Sequence, residues 1–206
     1  MADLYLASHS PRRRELLKQI GVKFEPLMLR LTAPRGADVD EAQYPGEPAA
    51  AYVERIAREK ALFGARVLAA RSLPQKPVLT ADTVVIVDGD VLGKPANAAE
   101  AASFLRRLAG RTHEVRTAVA LALGGAAQPR LLLATSVSQV TFAPLSDAQI
   151  ARYCESGEPY DKAGGYAIQG LAAVFVAHLA GSYSGVMGLP LYETAQLLRQ
   201  AGVPVL

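Results

Sequence analysis

Between Pro77 and Val87 the chain reads Pro-Val-Leu-Thr-Ala-Asp-Thr-Val-Val-Ile-Val, apolar on both alternating faces except at Thr80, Asp82 and Thr83. A strand that is apolar on both sides has to be covered on both sides, which places it inside a sheet with helices packed over its faces. Asp82 is then partly withdrawn from water. A carboxylate in that position needs a cation, a metal or hydrogen bonds to offset its lost hydration, so Asp82 is either a functional acid or a structural one capped by backbone N–H groups. If Asp88-Gly89 forms a two-residue hairpin turn, Val87 pairs with Asp90, and counting back sets Lys94 across from Thr83, a cation beside Asp82.

Punctuation along the rest of the chain gives alternating strands and helices. Leu4 to Ala7 is a short strand. Ser8-His9-Ser10-Pro11 opens a helix carrying Leu16, Leu17 and Ile20, with Ser10 as N-cap, Pro11 at the first helical position and Gly21 as the stop. A second strand is expected over Val22 to Leu31, a polar loop from Thr32 to Pro48 containing Asp38, Asp40 and Glu41, and a long helix from about Pro48 to Ala70. Beyond the central strand come a helix over Asn97 to Leu108, strands over His113 to Leu123 and Leu131 to Phe142, and a Ser146-capped helix ended by Gly157. A glycine-punctuated loop follows over Glu158 to Gly170, then a strand over Ala173 to Leu179 and a closing helix over Leu189 to Ala201. The order predicts an α/β fold with a mixed, elongated and twisted sheet flanked by helices. No repeat or low-complexity linker separates autonomous domains.

Composition narrows the function classes. Of 206 residues, half are hydrophobic and 20% charged, enough apolar material for a packed core and too little charge for a disordered chain. The net charge of +3 is small, and the arginines are interleaved with acids, so no nucleic-acid partner is expected. No apolar run approaches bilayer length and the N-terminus lacks the pattern of a secretory leader, so a membrane partner is not expected either. The single cysteine, Cys154, fits a reducing compartment and a cytoplasmic location, and is most simply a packing residue. His9, His113 and His178 match no zinc spacing. There is no Walker A motif, no G-x-G-x-x-G and no G-x-S-x-G elbow; Gly181-Ser-Tyr-Ser-Gly is a near miss.

Some polar residues stand where plain structure would not put them. Arg12, Arg13 and Arg14 crowd the first helical turn, where the macrodipole disfavours each cation by about 0.3 to 1 kcal/mol, so they make most sense around a bound anion such as phosphate; the alternative is that they bend into solvent. On the long helix, Val53, Ile56, Ala57, Lys60, Ala61 and Gly64 share one face, and Lys60 interrupts the apolar stripe. It either meets an anion or carboxylate, or snorkels at the stripe's edge. In Glu158 to Gly170 the glycines allow close backbone approach, and Asp161, Lys162 and Gln169 offer polar handles.

Taken in order, Leu6-Ala-Ser-His-Ser-Pro-Arg-Arg, Arg58-Glu-Lys-Ala, Ala81-Asp-Thr-Val-Val, Gly93-Lys-Pro and Glu158-Pro-Tyr-Asp-Lys-Ala-Gly-Gly-Tyr-Ala-Ile-Gln-Gly resemble the Maf nucleotide pyrophosphatases. The resemblance runs from Leu4 to the final helix. It implies a fold similar to the inosine triphosphate pyrophosphatases, spanning 1–206 as a single domain or as two lobes around a central cleft, and usually a homodimer. The implied activity is hydrolysis of nucleoside triphosphates to monophosphate and pyrophosphate with a divalent metal, Mg²⁺ or Mn²⁺. Asp82 matches the catalytic acid, as general base or metal ligand, and Glu41 its partner at the metal. Ser8, Arg12, Arg13, Lys60 and Lys94 match phosphate-binding positions. The Tyr-x-Ile-Gln-Gly ending resembles the branch acting on dTTP and UTP, with Arg12, Thr83 and Gln169 tied to base choice; an amide offers donor and acceptor to the O4 and N3–H edge of thymine or uracil. His9 stands where glycine is frequent, and Thr32 to Ala37 is an added loop. A reading of another class is a non-catalytic nucleotide sensor or division regulator, since the family is also associated with inhibition of septum formation.

Overall fold

The computed structural model describes residues 2–29, 39–125 and 127–206; the added loop Thr32 to Ala37 lies outside them. The elements in chain order are β1 (Leu4–Leu6), α1 (Pro11–Gln19), β2 (Phe24–Pro26), α2 (Ala49–Ala70), β3 (Val78–Val87), β4 (Asp90–Leu92) and α3 (Ala98–Leu108). They continue with β5 (Thr112–Leu123), β6 (Arg130–Phe142), α4 (Asp147–Glu155), β7 (Val176–Ala180), α5 (Tyr183–Met187) and α6 (Leu191–Gln200). The strands form one mixed sheet in the order β2-β1-β3-β5-β6-β7, with β4 paired to β3. β1 runs parallel to β2 and β3, whereas β3–β4 and β6–β7 are antiparallel. Among the described residues no helix is long and apolar enough to cross a membrane.

Two compact units divide the chain: residues 1–82, 118–135 and 188–206 form the first, and residues 83–117 and 136–187 the second. β3, β5 and β6 each contribute residues to both. In the first unit, Leu4, Leu6, Leu79, Ile56 and Leu68 are fully buried, and α2 lies so close to β3 that a Cβ on Gly64 would stand 2.7 Å from Val78 Cγ1. In the second, Val85, Leu105, Phe142, Ile150, Tyr166 and Phe175 belong to one apolar cluster.

Two expected strands change. The strand expected over Val22 to Leu31 is confined, within the described residues, to Phe24–Pro26. Its length is set by its partner, because β1 offers only Leu4, Tyr5 and Leu6 for pairing. The strand expected from Ala173 begins at Val176, since Leu171–Phe175 forms a 3₁₀ turn. That turn buries Ala172 and Phe175 and exposes Val174, the i, i+3 spacing of a 3₁₀ helix instead of strand alternation. The short helix α5 was not anticipated from sequence pattern.

His113 is a core residue of the second unit. Its Nε2 lies 2.8 Å from Tyr166 Oη, its ring stands edge-on to Phe142, and among the described residues the buried Nδ1 has no hydrogen-bond partner. Burial pushes the imidazole down to about 4 from 6.5, so it is neutral in the fold. Between those values the unfolded chain holds the extra proton, and stability is expected to fall by about 3 kcal/mol as pH drops from about 6.5 to about 4. Urea midpoints across that range for wild type and His113→Phe check this: the variant should lose that slope, and equal slopes would contradict it.

Candidate functional site

The site of the first unit begins at the turn into α1. Ser10 caps the helix, its Oγ accepting from Arg13 N, with Pro11 at the first position. Ser8 is buried, and its Oγ accepts from Ser10 N at 3.2 Å and from Arg13 Nη1 at 3.4 Å. With both lone pairs engaged, what that hydroxyl has left to offer a ligand is its proton. Arg13 does not bend into solvent: its Nε donates to Gly188 O at 2.7 Å. Burial lowers the Arg13 guanidinium's pKa, the carboxylates of Asp82 and Glu41 oppose that, and Arg12 adds to it. The two arginines and two acids therefore share one field. Arg14 turns to the Met28 thioether at 3.8 Å. His9 donates through Nε2 to Leu29 O at 2.6 Å, so it ties the turn to the chain after β2.

The centre of the site is a carboxylate–ammonium–carboxylate cluster. Lys60 Nζ lies 2.9 Å from Asp82 Oδ1 and 3.0 Å from Glu41 Oε1; the Lys60 and Asp82 side chains are each 14% exposed and Glu41 42%. The inward lysine of the α2 stripe thus meets carboxylates and does not snorkel. Its alignment is set by a buried cross-link: Thr80 Oγ1 donates to Ala57 O at 2.7 Å. Thr80 and Asp82 share a face of β3 at i, i+2, and Ala57 and Lys60 are neighbours on α2 at i, i+3, so one bond registers the pair. Asp82 is thus a largely buried acid in contact with a cation, Lys60.

Glu41 lies in a segment without regular structure, and α2 holds it. Tyr52 Oη donates to Glu41 O at 2.9 Å. Arg55 donates to Ala42 O at 2.8 Å and forks onto Glu47 through Nε and Nη2 at 2.6 and 2.8 Å. Burial, then the charges of Asp82 and Glu41, push the Tyr52 phenol up to about 12, so it stays a donor. Tyr52, Arg55, Thr80 and Gly188 are members of the site that sequence reasoning did not assign. Thr80 had a signal, a hydroxyl in an apolar strand; the others act through side chain–backbone bonds that leave no periodic trace.

Thr83, Lys94 and Gln169 belong to the second unit. Thr117 Oγ1 donates to Gly185 O at 2.7 Å, which spends its one proton, so Thr83 must be the donor in the 2.9 Å contact between the two threonine hydroxyls. The Asp88-Gly89 turn gives the expected register, Val87↔Asp90 and Val85↔Leu92. β4 ends there, so the ladder stops two residues short of Lys94, which is exposed. Gln169 is exposed at the end of buried Tyr166 to Ile168. Its loop is anchored by Glu158, whose carboxylate accepts from Tyr153 Oη at 2.8 Å and Leu171 N at 3.0 Å; a Cβ on Gly170 would collide with that carboxylate.

Among the described residues no group of three or more His, Cys, Asp and Glu could hold a metal ion. Glu41 and Asp82 nevertheless converge on one cation, and two carboxylates suit a hard divalent ion that keeps waters and takes substrate phosphate oxygens for the rest of its shell.

Fold and site together define an α/β protein in which a helix start rich in arginine stands in the field of two acids that share a lysine. The chain belongs to the Maf family: the family model described as Maf-like protein matches residues 3–201. The dTTP/UTP pyrophosphatase of Aromatoleum aromaticum is 55% identical over 206 residues, covering 99% of this chain and 98% of that one. The dTTP/UTP pyrophosphatase of Bordetella parapertussis is 58% identical over 202 residues, covering 98% and 94%. Among solved structures, the Staphylococcus aureus Ham1 protein aligns at a TM-score of 0.41 and 15% identity, over 68% of this chain and 71% of that one.

Proposed function

We propose that this protein hydrolyses dTTP and UTP to the nucleoside monophosphate and pyrophosphate, acting as a cytoplasmic homodimer. The observation that carries the reading is the Glu41–Lys60–Asp82 cluster in the field of Arg13, within a chain whose relatives at 55–58% identity bear that enzyme name. Asp82 receives a proton from the attacking water, which approaches the α-phosphorus in line with the departing pyrophosphate. Lys60, already held against Asp82, presents positive charge to the phosphoryl oxygens. Ser8 donates its hydroxyl proton, and Arg12, Arg13 and Lys94 neutralise the β and γ phosphates. Glu41 and Asp82 would hold Mg²⁺ or Mn²⁺, which when bound offsets charge on the phosphoryl oxygens.

Base choice falls to Arg12, Thr83 and Gln169 in this reading. Gln169→Glu replaces an amide donor with a second acceptor, so kcat/KM for dTTP and UTP should fall relative to that for dCTP and CTP. Unchanged ratios would place base selection elsewhere. The test of the function is pyrophosphate release from a panel of canonical and modified nucleoside triphosphates with Mg²⁺, Mn²⁺ or EDTA. Release greatest with dTTP and UTP and abolished by EDTA supports the proposal; nucleotide binding without release would contradict it and favour a sensor.

A further inference from the structure

The Glu41 carboxylate is aimed by a helix it does not belong to. Around it, Asp40, Glu41 and Ala42 present three successive carbonyls to α2: Arg55 Nη1 reaches Asp40 O at 3.4 Å, Tyr52 Oη reaches Glu41 O at 2.9 Å and Arg55 Nη2 reaches Ala42 O at 2.8 Å. Glu47 closes the segment from its other end. Its carboxylate takes the Arg55 fork and accepts from Tyr44 N at 3.1 Å, its N–H donates to Tyr44 O at 2.9 Å, and the Arg55 guanidinium lies 3.9 Å over the Tyr44 ring. The ion pair is sheltered, with the Arg55 and Glu47 side chains 16% and 11% exposed. A forked pair in that setting fixes direction as well as distance.

We infer that Arg55, with Glu47 and Tyr52, is a positioning device that locks the Asp40–Glu47 segment so that Glu41 meets Lys60 and Asp82. Lys60 lies on the same helix, so α2 supplies both the partner of the Glu41 side chain and the clamp on its backbone. Neither Arg55 nor Glu47 needs to touch substrate. The inference rests on the proposed role of Glu41 as an acid at the divalent ion.

The experiment compares Arg55→Met, Arg55→Lys, Glu47→Gln, Glu41→Gln and the Arg55→Met/Glu41→Gln double variant. Two quantities are read: kcat for dTTP, and Mn²⁺ bound in the presence of the non-hydrolysable α,β-methylene analogue of dTTP, by electron paramagnetic resonance. Glu41→Gln should lower kcat and weaken Mn²⁺ binding, each at least about tenfold. Arg55→Met should reproduce both losses by about 10-fold to 10²-fold, the scale of an ångström-sized misplacement. Glu47→Gln, which keeps shape and one hydrogen bond, should move both the same way by less, and Arg55→Lys should recover little because it has no fork. The double variant should be no worse than Glu41→Gln alone, because the clamp acts through the side chain already removed. Multiplying losses in the double variant, or a strong Glu41→Gln beside a silent Arg55→Met and Glu47→Gln, would overturn the inference alone. A silent Glu41→Gln would overturn the role of Glu41 and the inference with it.

Discussion

Asp82→Asn is expected to fold as the wild type does and to lose at least about 10²-fold in kcat on dTTP, the usual scale for removing a general base. The substitution keeps the shape of the side chain and an oxygen for Lys60, which lies 2.9 Å away. It leaves the Thr80–Ala57 cross-link between β3 and α2 untouched, and Lys60 retains Glu41 as counter-ion. What disappears is the negative charge and the capacity to take a proton. Circular dichroism and urea unfolding check the fold, and single-turnover kinetics check the chemical step. A variant with near-wild-type kcat would remove Asp82 from the mechanism.

Lys60→Met has the second largest expected effect, on stability as well as rate. It fills the apolar stripe of α2 equally well but leaves the Glu41 and Asp82 carboxylates without the ammonium they share. Breaking a fully buried pair costs about 3 to 5 kcal/mol; with Glu41 42% exposed, water screens part of this, and a loss of about 1 to 3 kcal/mol is expected. Turnover should fall at least about 10²-fold, since the same ammonium faces the phosphoryl oxygens. Added Mn²⁺ should raise the variant's Tm more than the wild type's, because the Lys60 ammonium no longer competes for the two acids and ligand binding to the native state stabilises it. Lys60→Arg should restore stability better than rate. A Lys60→Met variant with wild-type Tm and kcat would contradict both roles.

How much of this was legible in the sequence depended on whether the cause was local. The start of α1 was, because Ser10 and Pro11 act on the helix they begin. The β3–β4 register was, because Asp88-Gly89 fixes it within the hairpin. Lys60 was visible as an intruder on a stripe of period 3.6, and Asp82 as a charge on a strand covered on both faces. β2 was not, because its length is dictated by the three residues of β1. The start of β7 was not, because a short apolar run reads equally as strand or 3₁₀ turn until Ala172 and Phe175 find the Phe142 cluster. Within the site, Glu41 was reached only through family resemblance, and Arg55 and Tyr52 not at all. Their bonds run to backbone carbonyls 11 to 15 positions away, and any residue in that loop presents the same carbonyl.

Water attack at the α-phosphorus is tested most directly by a turnover of dTTP in ¹⁸O-labelled water with the products resolved by mass spectrometry. One labelled oxygen in dTMP and unlabelled pyrophosphate as the co-product are expected. Label in the pyrophosphate, or release of orthophosphate and dTDP, would place the attack at another phosphorus and contradict it.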